Sequence, residues 1–205
     1  MYSLLSASQI ADLHGFVFAN RRIARDIQSL EMTPLGPMNS KSFGTTISPW
    51  IITLDALLPF ATIPHTRESI RGPPFAGSIP SEHTYNISLQ ADIIANGVTT
   101  TVCKSELSSM YWNFNDMVVQ QTSNGCCINT GDLLGTGTIS GTTHDSHGCL
   151  LELTAGGQKD FTLTGGERRT YLEDGDILCI TGRAGKGVGF GSCSGAVVPT
   201  HLGRL

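Results

Sequence analysis

Long apolar runs and an excess of basic residues are both missing from this sequence of 205 residues. No segment approaches the apolar length that a membrane-spanning helix requires, so we expect no membrane partner. Thirteen lysines and arginines stand against seventeen aspartates and glutamates, which gives a formal net charge of −4 at pH 7. A chain without a dominant basic surface is not expected to bind nucleic acid.

CxxC pairs and the regular spacings of a disulfide framework are also absent. Two of the six cysteines, Cys126 and Cys127, are adjacent, and neighbouring residues do not easily supply two ligands to one tetrahedral zinc ion. We therefore predict free thiols, buried or partly buried, in a reducing compartment. Residues 1–15 lack the basic segment and sustained apolar core of a signal peptide, which favours a cytoplasmic location. The cysteines are Cys103, Cys126, Cys127, Cys149, Cys179 and Cys193.

Short runs of apolar and β-branched residues, separated by glycine-rich turn signals, indicate a mainly β domain over residues 1–205. The 24 glycines and the scarcity of helical periodicity support this fold class, and no internal repeat marks a second domain. Residues 62–84 contain four prolines and predict a long excursion between strands. The predicted strands cover residues 50–54, 85–94, 99–105, 149–154 and 176–182.

Helical spacing is confined to three segments, residues 8–14, 22–31 and 106–122. In the third, apolar and polar side chains share one face, a pattern more typical of core packing than of a ligand site. These side chains are Met110, Phe114, Met117, Val118 and Gln121.

The segment Asn20–Trp50 gathers Arg25, Gln28 and Lys41 around a Pro-Leu-Gly-Pro turn. Arginine binds carboxylates or oxyanions as a fork, lysine adds a point charge and glutamine an amide donor, so the three suit an anionic, oxygen-rich substrate. The same pattern, with two further arginines just before Arg25, is also typical of a solvated basic helix start.

Two other positions have both a chemical and a structural interpretation. Glu152 lies between leucines on a predicted strand, where an inward-facing carboxylate could act as a base, whereas an outward-facing one would be ordinary surface. His144, Asp145, His147 and Cys149 form a compact set of candidate metal ligands, although the run is also typical of an exposed turn.

Eleven short blocks of the sequence occur in the order and at the spacing of one known family. The blocks are ARDIQ (24–28), PLGP (34–37), KSFGTTISPW (41–50), DALLPFA (55–61), CKS (103–105), MYW (110–112), NGC (124–126), GDLLGTGTISG (131–141), LLEL (150–153), DGD (174–176) and GFGSCSG (189–195). In these blocks the chain resembles the fumarylacetoacetase family. The resemblance begins near residue 8, continues to the end, and covers only the C-terminal part of that family's catalytic domain. It implies a mixed β-sandwich roll with a few helices.

The resemblance implies a hydrolase that cleaves a C–C bond of 4-fumarylacetoacetate to fumarate and acetoacetate, in tyrosine and phenylalanine catabolism. Arg25, Gln28 and Lys41 match residues that stabilise the oxyanion formed when water attacks the ketone. Glu152 matches the glutamate that pairs with a catalytic histidine to activate that water. In the block GTISG, Gly137 and Thr138 match a turn that holds a substrate carboxylate.

The chain departs from the family pattern at the metal site. Arg21 stands where the family has an aspartate ligand, and a guanidinium repels the Ca²⁺ or Mg²⁺ that family members bind. The family's catalytic histidine and three other acidic ligands belong to a segment that precedes the matching region. Met32 replaces a tyrosine that touches substrate, and the helix after MYW is altered at 116–117 and 120–121. We therefore expect no metal binding by this chain.

The resemblance thus predicts a fumarylacetoacetase-like hydrolase that is inactive as an isolated chain. The alternative is a non-catalytic, truncated paralogue or isoform that binds a dicarboxylate or pairs with another subunit. A metal-binding module at residues 144–149 is a more distant third. Because the family forms homodimers and a partial domain exposes apolar surface, we also expect a homodimer or association with a full-length relative.

Overall fold

Two antiparallel sheets contain most of the strand residues in the computed structural model, which describes residues 2–9, 12–64 and 84–199. The first sheet has the order β3-β2-β1-β9, with β4 also paired to β2, and the second has the order β13-β12-β7-β8. Two small ladders, β5-β6 and β10-β11, complete the strands of the described residues. The mainly β fold predicted from the sequence is confirmed. The strands are β1 (Tyr2–Gln9), β2 (Asp12–Arg22), β3 (Gly44–Ile47), β4 (Ile52–Thr53), β5 (Ala61–Thr62), β6 (Thr84–Tyr85), β7 (Ile87–Ala95), β8 (Val98–Glu106), β9 (Leu133–Gly135), β10 (Phe161–Thr162), β11 (Arg168–Arg169), β12 (Ile177–Ala184) and β13 (Val188–Ala196).

The helices are short. Four α-helices connect the strands in the described residues, and single 3₁₀ turns cover Asn39–Ser42, Leu58–Phe60, Leu107–Ser109 and His144–Ser146. None of these helices has the length and apolar composition needed to cross a membrane. The α-helices are α1 (Arg25–Glu31), α2 (Leu54–Leu57), α3 (Phe114–Thr122) and α4 (Leu150–Leu153).

The core lies against one face of the second sheet. Along β7, Ile87, Leu89, Ala91 and Ile93 are buried at alternating positions, as period-2 side-chain alternation requires. Side chains of β12, β13 and α3 pack into the same cluster, and Met110, Phe114 and Met117 belong to it, as the helical face predicted. These members include Leu178, Ile180, Phe190 and Cys193.

The two sheets meet where β13 lies beside β2 and β3. The guanidinium of Arg22 donates to the carbonyl oxygens of Ala196 at 2.9 Å and Gly195 at 2.5 Å. The thiol of Cys193 donates to the carbonyl oxygen of Thr46 at 3.3 Å. Two charged hydrogen bonds and one weak one therefore join β13 to the end of the first sheet from which α1 departs.

Several predicted elements differ from the structure. Strands β1 and β2 occupy most of the segment predicted as a helix at 8–14, and residues 149–154 contain helix α4 instead of a strand. Only Ile52–Thr53 of the segment 50–54 is a strand, and the helices predicted at 22–31 and 106–122 begin only at Arg25 and Phe114. The predicted excursion at 62–84 falls mostly outside the described residues.

All six cysteines are free thiols, as predicted. Cys103, Cys149 and Cys193 are buried and Cys179 is half-buried, in agreement with the sequence. The prediction is wrong for Cys126 and Cys127, which are exposed on the loop between α3 and β9.

Candidate functional site

Helix α1 brings two of the three predicted oxyanion donors together. Arg25 and Gln28 are one turn apart, and the Arg25 guanidinium donates to Oε1 of Gln28 at 2.6 Å. Both side chains are half-buried. The bond uses the carbonyl side of the Gln28 amide, so its NH₂ group keeps its donor protons for a ligand.

The third donor, Lys41, lies in the 3₁₀ turn Asn39–Ser42, which packs on α1. The backbone N–H of Ala24 donates to the carbonyl oxygen of Ser40 at 3.1 Å, directly before α1. Lys41 donates its own N–H to Met38 at 3.2 Å. The structure therefore brings the element that carries Lys41 against the helix that carries Arg25 and Gln28.

A carboxylate that the sequence analysis did not identify holds this turn in place. Glu31, at the end of α1, accepts the backbone N–H groups of Met38 at 2.8 Å, Asn39 at 3.0 Å and Ser40 at 3.1 Å. It also accepts the Ser40 hydroxyl at 2.8 Å. The bond from the Ser40 hydroxyl, followed by the backbone bonds, holds the pKa of Glu31 below its usual value.

Gly137 and Thr138 lie in a tight loop that follows β9. Gly137 has a φ of +77°, a conformation that glycine adopts without steric cost. The loop packs on Gly148: a Cβ there would lie 2.4 Å from the carbonyl oxygen of Ile139 and 2.6 Å from Cγ2 of Thr138. The position of Thr138 therefore depends on the absence of a side chain at residue 148.

Glu152 is not on a strand, and its side chain is exposed. It lies on α4, because Leu150 and Leu153, three residues apart, both pack against the core, and helical spacing puts them on one face. The Ser140 hydroxyl donates to Oε2 of Glu152 at 2.6 Å and accepts the backbone N–H of Gly148 at 3.1 Å. The loop with Thr138 is thus hydrogen-bonded directly to Glu152.

The sheet topology places helix α1, which carries Arg25 and Gln28, and the Gly137–Thr138 loop at the same end of the first sheet. Strands β2 and β9 flank β1, and both are antiparallel to it, so they run in the same direction. They lie about 10 Å apart, at two interstrand spacings. Strand β2 leads towards α1, and β9 leads into the Gly137–Thr138 loop. Helix α1 and this loop therefore follow strand ends that lie at the same end of the sheet.

The described residues do not fit a divalent-metal site. They contain no group of three or more histidine, cysteine, aspartate or glutamate side chains that could hold a metal ion. Arg21 lies in β2 opposite Thr45 of β3. Residues 144–146 form a 3₁₀ turn in which His144 and Asp145 are exposed and His144 stacks edge-on against His147 at 5.4 Å. The candidate ligands at 144–149 therefore do not converge on a common centre.

A family model described as fumarylacetoacetate (FAA) hydrolase C-terminal matches residues 10–198. The chain belongs to the fumarylacetoacetate hydrolase family. Fumarylacetoacetase of Arabidopsis thaliana is 45% identical over 194 residues, which cover 92% of this chain and 45% of that relative. The human fumarylacetoacetase is 40% identical over 195 residues, which cover 93% of this chain and 46% of that relative. The chain spans about half the length of the curated relatives it matches.

Solved structures show the same fold at low sequence identity. The crystal structure of Cg1458 has a TM-score of 0.59 at 16% identity, and the similarity covers 97% of this chain and 59% of that one. A 2-keto-3-deoxy-D-arabinonate dehydratase complexed with magnesium and 2,5-dioxopentanoate has a TM-score of 0.54 at 14% identity, covering 96% and 51% of the respective chains.

Proposed function

We propose that this chain contributes part of the active site of a fumarylacetoacetase-type hydrolase, which cleaves 4-fumarylacetoacetate to fumarate and acetoacetate in tyrosine and phenylalanine catabolism. The proposal depends above all on the 2.6 Å hydrogen bond between Arg25 and Gln28, in a chain 40–45% identical to fumarylacetoacetases. Donors fixed before the reaction stabilise developing charge without a reorganisation cost, and this is often the largest catalytic contribution.

In this proposal Arg25, Gln28 and Lys41 stabilise the oxyanion that forms when water attacks the ketone carbon. The guanidinium supplies a fork of donors with a permanent charge, and the Gln28 amide supplies a neutral donor beside it. Glu31 supports the arrangement, because it fixes the turn that carries Lys41 against α1.

Glu152 orients a base for the attacking water. Its Oε2 is engaged by the Ser140 hydroxyl, which leaves Oε1 as the acceptor for a partner from outside the described residues. The partner is a histidine in the proposal, because a carboxylate that accepts an imidazole N–H fixes the tautomer needed for general-base catalysis. Thr138 and the backbone at Gly137 bind a substrate carboxylate at the same end of the first sheet as α1.

The ion that family members use would stabilise a departing enolate when bound. The described donor set does not fit such an ion, so no step of the reaction is assigned to it here. Without the histidine and the acidic ligands, the isolated chain is proposed to be inactive.

Two measurements test the proposal. The isolated chain, with Mg²⁺ or Ca²⁺ added, should leave the absorbance of fumarylacetoacetate unchanged, and turnover would contradict the inactive assignment. A chimera that joins the unmatched N-terminal part of the Arabidopsis fumarylacetoacetase to this chain with Arg21→Asp should hydrolyse the substrate faster than the Arg21 chimera. A folded Arg21→Asp chimera without activity would refute the hydrolase assignment.

We propose a second role, as a cytoplasmic subunit-interaction module, on the basis of exposed apolar side chains around α1. Leu30 is 82% exposed and Leu35 79% exposed, and no residue of α1 is buried. A short helix with apolar side chains and no buried residue is not stable by itself. The 27–43 apolar surface consists of Ile27, Leu30, Met32, Leu35, Met38 and Phe43.

We assign this surface to a homodimer or to association with a full-length relative. Light scattering of the purified chain should then give a mass above 21.8 kDa. Leu30→Asp should reduce that mass, whereas the matched change Leu58→Asp should not, because Leu58 is 61% exposed and lies in the turn Leu58–Phe60, whose Phe60 packs near Gly185 at the opposite end of the second sheet from Ala196. A monomeric mass at all protein concentrations would contradict the proposed homodimer.

A further inference from the structure

The loop between α3 and β9 presents two adjacent cysteines to solvent. Cys126 and Cys127 are exposed, whereas the other four thiols are buried or half-buried. Burial raises the pKa of Cys103 to about 11, and burial also raises the pKa of Cys179. The thiolate is the reactive form of cysteine, so these two thiols react slowly at neutral pH. A thiol-binding reagent in solution should therefore react first with the exposed residues Cys126 and Cys127.

The pair is held in place by contacts on both sides. The Asn124 side chain accepts the backbone N–H of Cys126 at 2.9 Å, and Gly125 donates its N–H to Thr122 at the end of α3 at 2.9 Å. Ile128 is 9% exposed and anchors the chain after the pair. Two cysteines whose backbone is fixed in this way are partly preorganised to bind one ligand together.

A donor lies beside the first sulfur. The side-chain amide of Gln121 donates to Sγ of Cys126 at 3.5 Å. This contact fixes the position of Sγ of Cys126 relative to α3. Gln121 is on the last turn of α3, so the helix holds this donor against the loop.

We infer that Cys126 and Cys127 form a two-sulfur site for a soft, thiophilic metal or metalloid centre. Soft centres select thiolate ligands, and a ligand that needs only two sulfurs suits this position better than zinc, which takes four ligands. No third histidine, cysteine, aspartate or glutamate side chain of the described residues joins the pair in a metal-holding group.

A trivalent organoarsenical oxide, R–As=O, makes the reaction explicit. Two As–S bonds form, both S–H bonds and the As=O bond break, and the oxygen leaves with the two protons as water. Arsenic stays trivalent and neither sulfur is oxidised, so no oxidant or reductant takes part.

The test uses the full chain, reduced, with phenylarsine oxide as the probe and intact-mass spectrometry as the readout. We expect one arsenical per chain, added with loss of one water, and four of the six thiols still free on titration of the adduct. Because the second bond is intramolecular, the adduct should resist excess monothiol and yield to a dithiol.

Three substitutions decide whether the pair is the site. Cys126→Ser and Cys127→Ser should each make the adduct labile to monothiol and lower the apparent affinity at least about a hundredfold. Cys179→Ser is the matched control and should leave both properties unchanged. The assignment would be overturned if Cys126→Ser and Cys127→Ser still formed an arsenical adduct that resists monothiol and yields only to a dithiol. It would also be overturned if the adduct of the unmodified chain consumed a single thiol. These outcomes are independent of hydrolase activity, so they leave the proposed function untouched.

Discussion

Ser40 is bound to Glu31 through both its backbone and its side chain, by an N–H at 3.1 Å and a hydroxyl at 2.8 Å that share the same carboxylate oxygen. Ser40 is completely buried and its carbonyl oxygen accepts the N–H of Ala24. The residue before Lys41 is therefore bound to both ends of α1. One carboxylate sets the position of the lysine relative to Arg25 and Gln28.

Replacing Glu31 by glutamine should loosen this turn. The amide keeps one acceptor oxygen, replaces the other by a donor and removes the charge that strengthens all four bonds. We expect faster hydrogen exchange of the backbone amides of Met38, Asn39 and Ser40, measured by NMR, with the exchange of β7 unchanged. Glu106→Gln, at an exposed position of β8, is the control. Unchanged exchange at all three amides would show that Glu31 does not hold the turn.

Acid should have the same effect as this substitution. The folded-state pKa of Glu31 is lowered, so its contribution to stability is fully present above the unfolded value and is lost as pH falls through the folded value. The protection factors of the Met38, Asn39 and Ser40 amides, which are exchange rates corrected for the intrinsic pH dependence of amide exchange, should fall as the pH drops below 4.5, the ordinary glutamate value. In the Glu31→Gln variant this pH dependence should be absent.

The sequence predicted the second sheet more accurately than the first. β7 and β12 largely alternate more and less buried residues, and β7, β8 and β12 are all rich in β-branched side chains, so their pattern identifies them. β13 was not predicted, because its glycines weaken the strand signal although pairing with β12 stabilises it. The short run LLEL forms helix α4 because packing, which the sequence does not display, decides between strand and helix for such runs.

The candidate site was predictable where its geometry is local. Arg25 and Gln28 are one helical turn apart, so their contact follows from the helix alone. Glu31 and Ser140 were missed because their roles depend on partners seven to twelve residues away, on the other side of a loop. No periodic pattern marks a residue whose hydrogen bonds close a loop.

Removing the carboxylate of Asp176 should destabilise the chain by about 2–3 kcal/mol, because the largely buried Arg169 guanidinium loses its buried partner and keeps only the ion pair with the exposed Glu173 carboxylate at 3.3 Å. Asp176 is 2% exposed and binds Arg169 through two bonds, at 3.0 Å and 3.1 Å. It also accepts the N–H of Glu173 at 2.9 Å. Asp176→Ala should therefore shift the midpoint of urea unfolding strongly. The control is Arg168→Ala, which breaks the exposed pair with Asp160 and should cost less than about 1 kcal/mol.

The same pair sets a pH dependence. Burial raises the pKa of Asp176, but the hydrogen bonds from Arg169 and the Glu173 backbone outweigh it, so the net pKa is lowered. The stabilisation is therefore present above the ordinary aspartate value of 3.8 and is lost as pH falls through the folded value. If Asp176→Ala and the unmodified chain lost the same free energy of unfolding on acidification, Asp176 would not be the source of this pH dependence.

Gly148→Ala should disturb the loop that carries Thr138. A methyl group there meets the carbonyl oxygen of Ile139 at 2.4 Å, and backbone must move to relieve the contact. We expect a loss of about 1–3 kcal/mol in the free energy of unfolding, as for other overpacked sites. Gly187→Ala, where a Cβ meets nothing within 4 Å, should change it by less than about 0.5 kcal/mol. Equal effects of the two changes would contradict the packing at Gly148.

Arg25→Ala should weaken binding of a dicarboxylate to the folded chain. Fumarate, a product of the proposed reaction, offers the carboxylate that a guanidinium beside an amide donor binds best. We expect fumarate to shift the NMR signals of the Arg25 and Gln28 side-chain N–H groups, and the affinity to fall about tenfold or more in the variant, at about 2 kcal/mol for a charged hydrogen bond. Arg168→Ala removes an exposed arginine elsewhere and should leave the affinity unchanged. If both variants weaken binding equally, the anion responds to net charge and not to a site on α1.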